Sequence, residues 1–101
     1  MAHSDYLQVL SAVEQLPFNL GRTALIALLQ GKHSHETILR HRLDRMDVFG
    51  VLAAYTEEEL HGLIGRLQAN GLLRAERKQF YHVLALTERG REELRQPRLH
   101  D

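Results

Sequence analysis

Apolar residues recur at helical spacing in four successive stretches of the chain and at strand spacing in a fifth, and the residues between them mark where each element stops. Leu7, Leu10 and Val13 predict a first helix from Asp5 to Leu16, which Pro17 ends because its ring cannot continue the backbone hydrogen-bond ladder. Leu25, Ile26, Leu28 and Leu29 give a second helix a broad apolar face, with Asn19 as its expected cap and Gly31 as its stop. Ser34 is placed to cap a shorter third helix, His35 to Leu43, in which Ile38, Leu39 and Leu43 are apolar and Arg40, His41, Arg42 and Arg45 lie elsewhere around the axis. Met46 to Tyr55 mixes Val48, Phe49, Val51 and Leu52 around Gly50 and reads as a connector. Thr56-Glu57-Glu58-Glu59 has capping-box spacing, and Leu60, Leu63, Ile64 and Leu67 follow at i, i+3, i+4 and i+7. A fourth helix over 56–70 follows from this pattern.

Gly71 comes just after the last apolar position of that helix, where a left-handed residue can close it. The spacing then changes from helix to strand. Leu84 and Leu86 share one strand face with Phe80 in the same phase, and Arg77-Lys78-Gln79 supplies the polar reversal of a hairpin. Thr87 caps a last helix carrying Leu94, which Gly90 weakens. The order of elements predicts an α+β fold, mostly α: a winged helix, or winged helix-turn-helix, with a short two-stranded β-wing. It occupies residues 5–95, with flexible termini at 1–4 and 96–101.

Composition narrows the function classes. At 101 residues and 44% apolar, the chain holds one aliphatic core and one module. With no cysteine there is no disulfide framework, thiolate metal cage or cysteine nucleophile. No apolar run approaches the roughly 20 residues of a membrane span and no signal-peptide pattern opens the chain, so no membrane partner and a cytoplasmic site, at the nucleoid in a bacterium, are expected. The serines Ser4, Ser11 and Ser34 have no paired His and Asp logic, and enzymatic activity is not expected. His33, Ser34, His35 and His41 lack a convincing carboxylate partner for a metal, so neither metal nor cofactor is expected.

Formal charge sums to zero, yet it is sorted by segment. Lys32, Arg40, Arg42 and Arg45 against Glu36 and Asp44 leave 31–45 at +2, and Arg74, Arg77, Lys78, Arg89 and Arg91 against Glu76 and Glu88 leave 71–91 at +3. The helix between them is at −2, from Glu57, Glu58 and Glu59 against Arg66, so it would meet phosphates with like charge. Base reading there is not expected. Candidate DNA contacts are therefore Arg22 and Thr23 at the open start of the second helix, the 32–45 stretch, and Arg74, Arg77 and Lys78 on the wing. Phe80 or Tyr81 could stack on a terminal base, although Phe80 shares its phase with core positions. Solvated charged faces are the alternative throughout.

Several segments also carry a family likeness. Leu10-Ser11-Ala12-Val13, Pro17-Phe18-Asn19-Leu20-Gly21, Ala27-Leu28-Leu29-Gln30-Gly31 and Val48-Phe49-Gly50-Val51 are followed by Glu59-Leu60, Ile64-Gly65-Arg66-Leu67, Gly71-Leu72-Leu73 and Leu84 to Arg91. In order and spacing, from about Asp5 to Leu94, the chain resembles the RQC domain, the winged helix of RecQ-family helicases. The Phe-Asn-Leu-Gly and Leu-Leu-Gln-Gly pair carries the specificity, because the second half is shared by many winged-helix families. The resemblance implies binding to duplex, duplex-end or branched DNA in repair, recombination or replication. It also implies phosphate contacts from Lys32, His33, Ser34 and His35, with Arg40 and Arg42 beyond. The hairpin is a wedge in some relatives; the tip here is short, so contact is expected without presuming strand separation. No Walker lysine loop or zinc cysteines occur, so no motor is expected in this chain, which is expected to be an excised piece attached to a helicase motor or a stand-alone RQC-like protein. Two alternatives stay open: a dimeric PadR-like or MarR-like transcriptional regulator, and a winged helix used for protein contact.

Overall fold

A computed structural model describes residues 5–98; of the expected flexible ends, 1–4 and 96–101, residues 1–4 and 99–101 lie outside the described residues. The order is α1 (Asp5–Gln15), α2 (Arg22–Gln30), α3 (Glu36–His41), a 3-10 turn (Leu43–Arg45), α4 (Glu57–Ala69), β1 (Leu73–Arg77), β2 (His82–Leu86) and α5 (Glu88–Arg95). Mostly helical with one two-stranded antiparallel sheet, it is the expected winged helix. No helix among the described residues is long and apolar enough to cross a membrane.

The core is aliphatic and is built where the helical periods place it. Val9, Leu10 and Val13 of α1, Leu25 to Leu29 of α2, and Leu60, Leu63, Ile64 and Leu67 of α4 are buried together. Leu72, Leu73, Leu84 and Leu86 close it from the hairpin side. α4 starts on the complete capping box, with Thr56 Oγ1 accepting from Glu59 N–H at 3.0 Å and Glu59 Oε1 accepting from Thr56 N–H at 2.9 Å. Gly31 and Gly71, at φ 79° and 76°, end α2 and α4 in the left-handed region. The next residue donates back across five positions each time, Lys32 to Ala27 O and Leu72 to Leu67 O, both at 2.9 Å.

Several local expectations give way to tertiary contacts. α2 is capped by Gly21, without a side-chain bond, and not by Asn19. The cause lies in the sheet: Leu84 N–H donates to Leu20 O at 2.8 Å, which keeps the chain extended beside β2 until Gly21. α3 is capped by His35, whose Nδ1 accepts from Thr37 N–H at 3.2 Å, and not by Ser34, which falls in the turn closed by His35 N–H on Lys32 O. It also ends early, because Arg42 takes φ 54° and turns the buried Leu43 into the core through the 3-10 turn. Leu39, expected among the apolar positions, is left exposed.

The hairpin register runs from Leu73↔Leu86 to Arg77↔His82, so the reversal is Lys78 to Tyr81, closed by Lys78 N–H on Tyr81 O at 2.7 Å. Phe80 therefore belongs to the turn, and its expected strand phase with Leu84 is wrong. Val83 and Ala85 are buried as well as Leu84 and Leu86, since β2 lies between β1 and the Leu20 segment and is covered on both faces. Met46 to Tyr55 is a connector of turns, anchored where Gly50 N–H and Leu52 N–H donate to Leu28 O and Leu29 O at 2.8 and 3.0 Å. Gly90, expected to weaken α5, has a different role: an ideal Cβ there would meet the Leu72 carbonyl and lie 2.7 Å from Leu86 Cδ1. Its missing side chain lets α5 lie on the hairpin.

Candidate nucleic-acid interface

The predicted contact residues fall into three groups, each held by a different part of the fold. At the start of α2, Thr23 is exposed but Arg22 is not free. Its guanidinium donates to His61 O at 3.2 Å and to the Gln68 side chain, which ties the first turn of α2 to α4. Arg22 thus fixes the angle of two helices and is spent on the protein's interior contacts.

The second group follows α2. Lys32, His33 and Ser34 are exposed in the turn, and His35 is half-buried by its capping role. Arg40 and Arg42 are exposed but paired, Arg40 with Glu36 at 2.5 Å and Arg42 with Asp44 at 3.3 Å. His33 Nδ1 lies 4.0 Å from the other Asp44 oxygen, and its ring meets Phe49 edge-on at 4.8 Å. The hydrogen bond from Arg42 holds the Asp44 carboxyl below its ordinary value, with further attraction from Arg42 and His33. Among the described residues no group of His, Asp and Glu is arranged to hold a metal ion.

The wing is the third group. β1 is the outer strand, so Arg74 and Arg77 face solvent. Arg74 is paired with Glu76 at 2.6 Å, and this hydrogen bond lowers the Glu76 carboxyl below its ordinary value. Beyond it, Arg77 and Lys78 are exposed with no ion pair among the described residues, and the turn carries Phe80 and Tyr81 at 85% and 61% exposure. Of the two rings, Phe80 is the more open, opposite to its sequence phase.

Contacts link the three groups in series. The Phe18 ring meets His41 edge-on at 4.7 Å, joining the end of α3 to the segment that leads into α2. Gly21, in that segment, packs so closely on the first residue of β2 that an added Cβ would lie 3.1 Å from His82 O. Phe18 and His82 are the residues that the sequence did not mark for the surface. An aromatic residue after proline and a strand-initial histidine carry no local signal of exposure. The arrangement offers exposed cations, exposed imidazoles and an open aromatic tip, which suits polyanion contact and base stacking.

A family model described as the RQC domain matches residues 2–99 of the 101. No curated protein matches the chain.

Proposed function

Because the chain belongs to the RQC domain family, a non-catalytic DNA-binding domain of RecQ helicases, we propose that it holds DNA by the phosphate backbone and by the shape of a duplex end or branch. The observation that carries this reading is the wing tip. Phe80 and Tyr81 open their rings to solvent next to Arg77 and Lys78, neither of which is in an ion pair among the described residues. A ring that caps a terminal base pair gains about 1–3 kcal/mol from stacking, while the two cations contribute affinity that is blind to sequence. The turn after α2 supplies a second backbone contact through Lys32, His33 and Ser34, with Arg40 and Arg42 exchanging their carboxylate partners for phosphate. α4 is not assigned to base reading, since Glu57 and Glu58 are exposed at its start.

The test is a fluorescence titration of blunt duplex, forked duplex and single strand at two salt concentrations, with Lys32→Glu, Arg77→Glu and Phe80→Ala variants. Each charge reversal is expected to weaken binding to all DNAs and to lower the salt dependence by about one contact or more. Phe80→Ala is expected to weaken binding where a duplex end or branch is present, with the salt dependence unchanged. Equal binding by all variants would sink the proposed surface.

A further inference from the structure

Three of the cations that the sequence singles out are paired with carboxylates: Arg40 with Glu36, Arg42 with Asp44 and Arg74 with Glu76. The opposite holds at the other end of the hairpin. Arg89, Arg95 and Arg98 line one cavity of about 390 Å³ with Glu92, Glu93 and Gln96. Among the described residues, none of these three guanidinium groups is in an ion pair. Glu93 is buried, and its carboxylate accepts the Tyr6 hydroxyl at 2.6 Å and the Arg98 backbone N–H at 2.8 Å. That second bond folds the tail back over α5, so the segment carrying Arg98 is held beside Arg95. Gln96 Oε1 also accepts from the Arg98 guanidinium at 3.2 Å. These contacts build the cavity before any ligand arrives.

Position and charge together indicate its ligand. α5 starts at the base of the hairpin, where Thr87 N–H donates to Leu72 O at 3.2 Å. The exposed tip is one five-residue strand away, about 17 Å. Three arginines against Glu92 and Glu93 leave the lining at a formal +1, which matches a single phosphodiester and would not hold a run of carboxylates. A planar guanidinium offers two parallel N–H donors to two phosphate oxygens. We infer that the α5 groove is a further phosphodiester site, beyond the wing and the turn after α2, which holds the strand or arm of a branched DNA that the wing tip does not. This rests on the DNA reading above.

An Arg95→Ala, Arg98→Ala double variant tests it, because both side chains are exposed and the Arg98 backbone N–H that Glu93 uses is retained. Binding is measured for a forked duplex, a blunt duplex with the same stem and an octaglutamate peptide, beside an Arg77→Ala, Lys78→Ala variant and with a thermal melt of each protein. The α5 variant is expected to lose about tenfold on the fork, with the salt slope lower by about two contacts, and to bind the blunt duplex within about twofold of the parent. Its melt should be unchanged. Fork affinity equal to the parent's overturns the inference, and loss of octaglutamate binding without loss of fork binding overturns it in favour of an acidic protein segment. If the wing variant loses DNA while the α5 variant does not, only this inference falls. If the parent binds no DNA, the proposed function falls with it.

Discussion

Arg42 and Gly90 are single positions at which the backbone and the side chain make opposite demands. Arg42 carries a long side chain in the left-handed region, at φ 54°, where a residue with a Cβ is disfavoured by about 1–2 kcal/mol. Glycine removes that cost and also the cation. Arg42→Gly is therefore expected to raise the unfolding free energy by about 1 kcal/mol in a denaturant titration and to weaken DNA binding in the same preparation. A loss of stability would show that the Asp44 pair outweighs the backbone strain. Gly90 is the reverse case: the backbone is helical and ordinary, and space is what forbids a side chain. Gly90→Ala would improve helix propensity in isolation, yet it is expected to lower stability by about 2 kcal/mol, because the added methyl must displace the Leu72 carbonyl and Leu86. Local propensity predicted weakness at this residue; only the packing of α5 on the hairpin reveals why glycine stands there.

At the scale of the element, the acidic partner in the α3 turn controls how available its cations are. Asp44 is held below its ordinary value of 3.8, first by the Arg42 hydrogen bond. A depressed carboxyl contributes stability above that ordinary value and loses it as pH falls through the folded value. The thermal stabilities of the parent and of Asp44→Asn are thus expected to differ modestly at neutral pH and to converge on acidification below 3.8. At neutral pH the same substitution releases Arg42 from a competing carboxylate, so DNA affinity should rise; unchanged affinity would place this side chain outside the interface. The elements themselves were legible to different degrees. α4 follows from its sequence because the capping box, the apolar stripe and Gly71 all act within the helix or at its ends. The starts of α2 and α3 differ from their local signals because Leu20 is bonded to β2 and because the turn after Gly31 takes up Ser34. Phe80 escapes the strand phase because a turn, whose length is set by the pairing of Leu73 with Leu86, separates it from Leu84.

On the scale of the whole molecule, two adjacent residues at the start of α1 hold distant parts together. Asp5 accepts a hydrogen bond from the Tyr55 hydroxyl at the end of the connector, and Tyr6 donates to Glu93 of α5 at 2.6 Å. Both acids are buried, Asp5 at 8% and Glu93 at 7% exposure. Tyr6→Phe is expected to cost about 2 kcal/mol, the range of a hydrogen bond to a charged group, measured by denaturant unfolding. Affinity for a blunt duplex should be retained where the protein remains folded, since Tyr6 is buried and its bond to Glu93 serves the α5 groove and not the wing; a loss there would show that α1 also sets the wing interface. By itself the sequence determined the helical and strand periods, their order, the helix stops at Gly31 and Gly71 and the family likeness, because each is written in residues close to one another along the chain. Tertiary structure decided which cations are free and which are paired, that Phe80 is open to solvent, that Gly90 is a packing contact and that Arg89, Arg95 and Arg98 share one groove. Those properties depend on which distant segments meet, and burial and ion pairing do not exist until they do.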